Sequence, residues 1–306
     1  MRAKFYKLGF YALLFLFVYN QIKSRSETSR SCKFKTKLTH IIIPFHIKQL
    51  KLVELNIKKW KKYWPCEPNQ NLFDPPKLIF YVGSSFQNEL NIKNLVKRLG
   101  NLKESFECFS NPEKIEIATY EFTKEQDKHI LGARLMFENC LKKNHELFRD
   151  INYMFYMEPD CRPIKKNWLI ALQSEVYDNA NFWMKGAFFR GDIKFLYENE
   201  YLPNKYHING NSIYNLGSDY FADFYFKTLR PYIKRHVESI TAYDTDISEF
   251  IMDKKNIQIV GRIIHNFIFT EIILNYWHTN YTVKDVNTEN PNSYLVHSGQ
   301  PQPNDW

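Results

Sequence analysis

Hydrophobic positions fall into two unlike regimes along this chain. Residues 8–22 form an uncharged and mostly apolar run, preceded by Arg2, Lys4 and Lys7. Residues 23–38 are polar, rich in Ser, Lys and Arg, and show no apolar period, which reads as a stem or linker. At Thr39 the pattern changes. His40-Ile41-Ile42-Ile43-Pro44-Phe45 is a short apolar, β-branched run that predicts a buried strand. Residues 50–64 have helical spacing. Residues 77–83, led in by the breaker Pro75-Pro76, predict a second strand, and residues 115–122 a third. A helix is expected over 128–148 and a strand over 152–157. Residues 182–189 and 205–215 read as extended, 244–252 as a helix, and 257–264 as a strand.

Strands alternating with helices in the first half predict an α/β fold with an open, mostly parallel sheet. The length suits one large α/β domain or two small ones, and a single domain over 39–306 is expected. In such sheets ligands bind at the carboxyl ends of the strands, so functional residues are sought there.

The run at 8–22 is short for a membrane span, which needs about 17–25 residues. No small-x-small cleavage site follows it, so an uncleaved signal anchor is favoured over a cleaved signal peptide or a buried amphipathic helix. Positive charge ahead of the run predicts a cytosolic tail over 1–7 and a luminal remainder. The sequon Asn280-Tyr281-Thr282 agrees with a luminal location but is near chance in a chain of this length.

The formal charge of +9 raises nucleic acid as a partner. The basic residues are dispersed, and no helix-turn-helix, zinc-finger or RNA-binding signature is present, so no nucleic-acid role is expected. A diphosphate ligand, an acidic glycan or a membrane surface suits the charge as well. The cysteines Cys32, Cys66, Cys108, Cys140 and Cys161 contain no CxxC pair. Two bridges and a free thiol are possible, with the pairing open. There is no GxSxG, Walker A or GxGxxG pattern.

The fourth predicted strand runs directly into Glu158-Pro159-Asp160. Carboxylates two residues apart on extended chain point to one side. Pro159 cannot donate to a ladder, so pairing should stop there. Two acidic groups at a strand terminus suit a hard divalent cation. Similar acidic pairs at Glu125-Gln126-Asp127 and Asp244-Thr245-Asp246 do not follow a strand. Further on, Asn209-Gly210-Asn211 is dense in turn formers. Gly210 can take positive φ and lets a ligand approach the backbone, and the two amides suit sugar hydroxyls. Gly186 is a candidate for backbone contacts to a ligand. Asp244 reads as a helix N-cap.

Glu158-Pro159-Asp160, followed by Pro163 and Trp168-Leu169, resembles the DXD motif of the GT-A glycosyltransferases, with Glu in place of the first Asp. The resemblance covers 39–306 in outline and is specific over 151–217. It implies Mn2+ or Mg2+ as cofactor, a nucleotide-diphosphate sugar as donor, and a glycan or glycoprotein acceptor. It also implies a single-pass type II protein of the Golgi or endoplasmic reticulum membrane. By the same resemblance Asp160 and Glu158 bind metal and donor, and the loop of Asn209, Gly210 and Asn211 lies beside donor and acceptor. His297, with His278 as alternative, completes the metal site. A carboxylate at a helix start serves as base, with Asp246 preferred over Asp244. Thr245 departs from the Glu-Asp of the family pattern. A membrane-tethered carbohydrate-binding protein on the same scaffold is the main alternative, and a metal-dependent nucleotidyl or phosphoryl transferase a weaker one.

Overall fold

In the computed structural model, residues 36–67, 74–85, 91–177, 181–192, 206–237 and 241–298 are described. The predicted tail, anchor and nearly all of the stem lie outside them. Among the described residues no helix is long and apolar enough to cross a membrane.

Seven strands form the main sheet: β1 (Leu38–His46), β2 (Lys77–Ser85), β3 (Glu116–Phe122), β4 (Tyr153–Tyr156), β6 (Met184–Gly186), β7 (Ser212–Asn215) and β8 (Phe267–Phe269), in the order β3-β2-β1-β4-β7-β6-β8. Only β7 runs against the others, pairing antiparallel with β4 and β6. A smaller sheet has the order β5-β10-β9, from β5 (Cys161–Pro163), β9 (Ile273–Asn275) and β10 (Leu295–His297). β10 is antiparallel to β5 and parallel to β9.

The strands are apolar on both faces because helices cover both. Ile41, Ile43 and Phe45 of β1, Phe80 and Val82 of β2, and Phe155 of β4 share one core. It is filled by α1 (Leu50–Trp60), α2 (Ile92–Gly100) and α4 (Trp168–Tyr177) through Ile57, Leu99 and Trp168. The alternate residues Ile42, Ile79, Tyr81, Met154 and Tyr156 face a second core. That core is capped by α3 (His129–Leu141) and by α7 (Tyr243–Met252), which follows α5 (Asp219–Asp223) and α6 (Arg230–His236). Among the described residues the remaining α-helices are α8 (Ile257–Ile263) and α9 (Val283–Glu289). Cys66 and Cys108 form a disulfide, with Cα atoms 5.8 Å apart. Cys140 and Cys161 are buried free thiols.

Several expectations are corrected. Residues 257–264 are helical, not a strand. Of this run only Val260 is buried in α8, and Ile257 and Ile259 are exposed. Short apolar runs do not separate helix from strand by periodicity, and the place in the sheet goes to 267–269. The helix predicted over 128–148 ends at Leu141, where Lys143 takes φ 52 and turns the chain. Residues 207–211 are irregular, so the extended stretch shrinks to β7. β1 starts at Leu38, one residue inside the expected linker.

Candidate active site

β4 ends at Tyr156, and Met157 makes a last backbone bond to the Ile42 carbonyl (2.8 Å). Pro159, which has no N–H, follows, and the chain turns into β5. The turn is clamped from α1 by Asn56, whose amide donates to the carbonyls of Pro159 (3.3 Å) and Cys161 (2.6 Å). Glu158 and Asp160 both face one cleft.

His297 reaches the pair through the small sheet. Its register partner on β5 is Cys161, the residue after Asp160. His297 Nε2 lies 3.2 Å from Asp160 Oδ2, and Nδ1 lies 3.1 Å from Asn275 Oδ1. With Nδ1–H donating to Asn275, Nε2 is presented toward the carboxylates. One ligand atom from each of Glu158, Asp160 and His297 lies within 4.8 Å of the others. Two oxygens and one imidazole nitrogen, with Asn275 orienting the ring, fit a divalent ion such as Mn2+ or Mg2+.

The electrostatics are those of a crowded acidic site. Burial and then the neighbouring Asp160 raise Glu158 to about 7, against the opposing pull of His297. Burial also acts on Asp160, but the His297 charge and hydrogen bond outweigh it and hold that carboxyl below its usual range. Burial lowers the His297 pKa, yet Asp160 and the other carboxylates carry it above its ordinary value. The unlike responses of Glu158 and Asp160 follow from which one the imidazole touches.

β7 runs antiparallel to β4, and Ser212 pairs with Tyr156, so the loop ahead of β7 reaches the same sheet edge. Asn211 is fully buried there. Its Oδ1 accepts from Glu158 N–H (2.8 Å), and its Nδ2 donates to Glu158 Oε2 (2.8 Å). It positions Glu158 and does not line the cleft, whereas Asn209 does. Gly210 does not adopt positive φ; among the described residues no glycine does. Glycine is required for close approach instead, since a Cβ would stand 2.2 Å from the Tyr243 hydroxyl. Gly186 is likewise packed, 1.8 Å from Ser212 Oγ had it a Cβ, and its carbonyl is taken by Thr270 N–H.

α7 brings two carboxylates that differ in surroundings. Asp244 is not the N-cap, a position held by Ala242. Its carboxylate lines the cleft and accepts from Gly210 N–H (2.8 Å) and Thr245 N–H (2.9 Å), with His207 Nε2 at 3.4 Å. Burial raises its pKa, but His207 and these amides leave it below the usual range. Asp246 is fully buried, bonded to Arg230 and Thr241, and does not line the cleft. Burial, opposed by Thr241 and Arg230, raises its pKa.

The cleft encloses about 1080 Å³ along the carboxyl ends of β1, β3 and β4. Of the residues expected from sequence, Glu158, Asp160, Asn209, Asp244, His297 and the alternative His278 line it. Gly186, Gly210, Asn211 and Asp246 stand behind. Sequence reading missed His207, Asn275 and Arg162. His207 and Arg162 lie two residues from flagged positions, while nothing local marks Asn275.

No family model matches the sequence, and no curated protein matches it. Among solved structures the chain is similar to the galactosyltransferase LgtC in complex with donor and acceptor sugar analogs. The identity is 12%, covering 86% of this chain and 88% of that chain, with a TM-score of 0.48. It is similar to mouse xyloside xylosyltransferase 1 in its apo form, at 11% identity over 87% of this chain and 99% of that one (TM-score 0.47). It is also similar to a glycosyltransferase involved in the glycosylation of the major capsid of PBCV-1, at 10% identity over 87% and 94% of the two chains (TM-score 0.46).

Proposed function

We propose that this chain is a glycosyltransferase that moves a sugar from a nucleotide-diphosphate sugar to a hydroxyl of a glycan or glycoprotein. Glu158, Asp160 and His297 would hold Mn2+ or Mg2+. The observation that carries the reading is the convergence of these three ligands at the carboxyl edge of the sheet, inside a cleft large enough for a nucleotide sugar. When bound, the cation offsets charge building on the departing diphosphate.

The chain's own residues supply the rest. Asn211 fixes the Glu158 carboxylate and Asn275 fixes the His297 ring. Asn209 offers an amide to sugar hydroxyls from the cleft wall. Asp244, held ionised, is the α7 carboxylate open to substrate, placed to bind a sugar hydroxyl or take the proton of an attacking one. Asp246 has no such access.

Calorimetric titration with Mn2+ and a panel of UDP- and GDP-sugars tests the reading. Asp160→Ala should lose metal-dependent donor binding and sugar transfer while keeping the wild-type melting temperature. Undiminished transfer by that variant would remove the metal role. Glycan binding without nucleotide affinity in the wild type would favour a carbohydrate-binding protein.

The reading extends to the secretory lumen, with the run at 8–22 as anchor. Support comes from that run, from the Cys66–Cys108 bridge, which suits an oxidising compartment, and from exposed Asn280 in its sequon. Chain isolated from cells should carry an endoglycosidase-sensitive glycan and this disulfide. A chain with neither would place it elsewhere.

A further inference from the structure

Arg162 is the middle residue of β5, two positions beyond Asp160 and opposite Val296 of β10. It is only 2% exposed, yet it lines the same cleft as Asp160 and His297. Nη1 and Nη2 are both buried and have no hydrogen-bond partner among the described residues. Lys185 makes the contrast. It is as buried, at 2%, and is met by the carboxylate and carbonyl of Glu175.

Asp160 is near enough for the Arg162 charge to help lower its pKa, but no carboxylate of the cleft bonds Nη1 or Nη2. Asp160 Oδ2 faces His297, Glu158 is held by Asn211 and Tyr243, and Asp244 is held by Gly210 and His207. A guanidinium cannot escape the cost of burial by losing its proton. Leaving its terminal N–H groups buried with no acceptor is costly, and more so for a charged group than for a neutral one. A cation kept in this state at a cleft wall is matched to an anion that arrives from outside. Its planar fork fits a phosphate or carboxylate through two parallel bonds, which requires the side chain to turn its buried end into the cleft it lines.

We propose that Arg162 is a substrate-binding residue that grips an oxyanion through Nη1 and Nη2. The oxyanion is a phosphate of the donor diphosphate or a carboxylate carried by a sugar. The proposal rests on the reading that an anionic donor occupies this cleft. It adds to the carboxylate–histidine cluster a second point of charge recognition that needs no metal.

Full-length protein carrying Arg162→Met or Arg162→Lys would be compared with wild type by thermal shift and calorimetry. The probes are inorganic pyrophosphate, UDP, GDP and glucuronate, each with chelator and with Mn2+. Unliganded Arg162→Met should melt near the wild-type temperature, because the terminal N–H groups it removes make no hydrogen bond. If the oxyanion is phosphate, its affinity for pyrophosphate and nucleoside diphosphate should fall about ten- to a hundredfold. If it is carboxylate, nucleotide affinity stays and glucuronate binding is lost. Arg162→Lys should recover only part of the affinity, as a point charge lacks the fork.

Wild-type affinity for every anion in Arg162→Met would overturn the proposal, whatever its melting temperature. Should that variant fail to fold, wild-type affinity for every anion in Arg162→Lys would overturn it equally. Sugar transfer measured in parallel separates this inference from the one above. Intact transfer with unchanged anion binding sinks only the Arg162 role. Arg162-dependent anion binding in a chain that transfers no sugar sinks only the transferase reading.

Discussion

Asp244 and Asp246 are two residues apart on α7, and their different partners give them different work. Asp244 faces the cleft and accepts from the Gly210 amide, so its substitution should be felt in function. Asp246 neutralises Arg230, which also reaches Glu138 at 3.3 Å. Asp244→Asn is therefore expected to lower transfer with little change in melting temperature. Asp246→Ala should instead cost about 1–3 kcal/mol of stability, by removing one of the two carboxylates that hold Arg230 and the hydrogen bond from Thr241 at a fully buried position. Chemical denaturation beside a transfer assay checks both. A stable but inactive Asp246→Ala would reverse the assignment. The two aspartates have the same composition and nearly the same sequence context, so only their three-dimensional neighbours could separate them.

Among the elements, β1 carries information at both of its ends. Its carboxyl end leads into the cleft, while its amino end buries His40 near Asp150 and Lys77. Burial pushes the His40 pKa down to about 4, against the attraction of Asp150. The unfolded chain, with an ordinary value of 6.5, then binds more protons between pH 6.5 and 4. Stability is full above that window and is lost as pH falls through it, by up to about 3 kcal/mol. His40→Gln should flatten this acid limb of a melting-temperature profile. An unchanged limb would mean that other groups set it. The apolar runs of β1, β2 and β4 were legible because strands buried on both faces need them. The run at 257–264 misled for the same reason, since a short helix at the surface presents an equally apolar stretch.

At the scale of the molecule, two sheets meet at the cleft and each contributes half of the acidic site. The main sheet ends in Glu158 and, by the reversed strand β7, brings the loop of Asn209 and Asn211 to the same edge. The small sheet supplies His297, Asn275 and Arg162. Pairing between β5 and β10 joins residues more than 130 positions apart, and that one register sets Asp160 beside His297. Tyr243 of α7 completes the enclosure. It stacks on Phe137 of α3 at 4.0 Å and sets its hydroxyl 3.3 Å from Glu158. The cleft is thus a product of packing between layers, with side chains from α1, α3 and α7 holding loops that have little regular pairing of their own.

Local chemistry determined much of this from sequence alone. Apolar runs placed the central strands, Pro159 stopped the ladder after β4, and the carboxylates on either side of it were bound to emerge at a strand end. Gly210 does not use the positive φ open to it; that glycine makes room for the Tyr243 hydroxyl. Tertiary structure alone decided that His297 meets Asp160, that Asp244 and not Asp246 opens to the cleft, and that Arg162 lies buried with Nη1 and Nη2 unbonded. These depend on register between distant strands and on which neighbour fills each space. Neither is written in the spacing of residues along one segment.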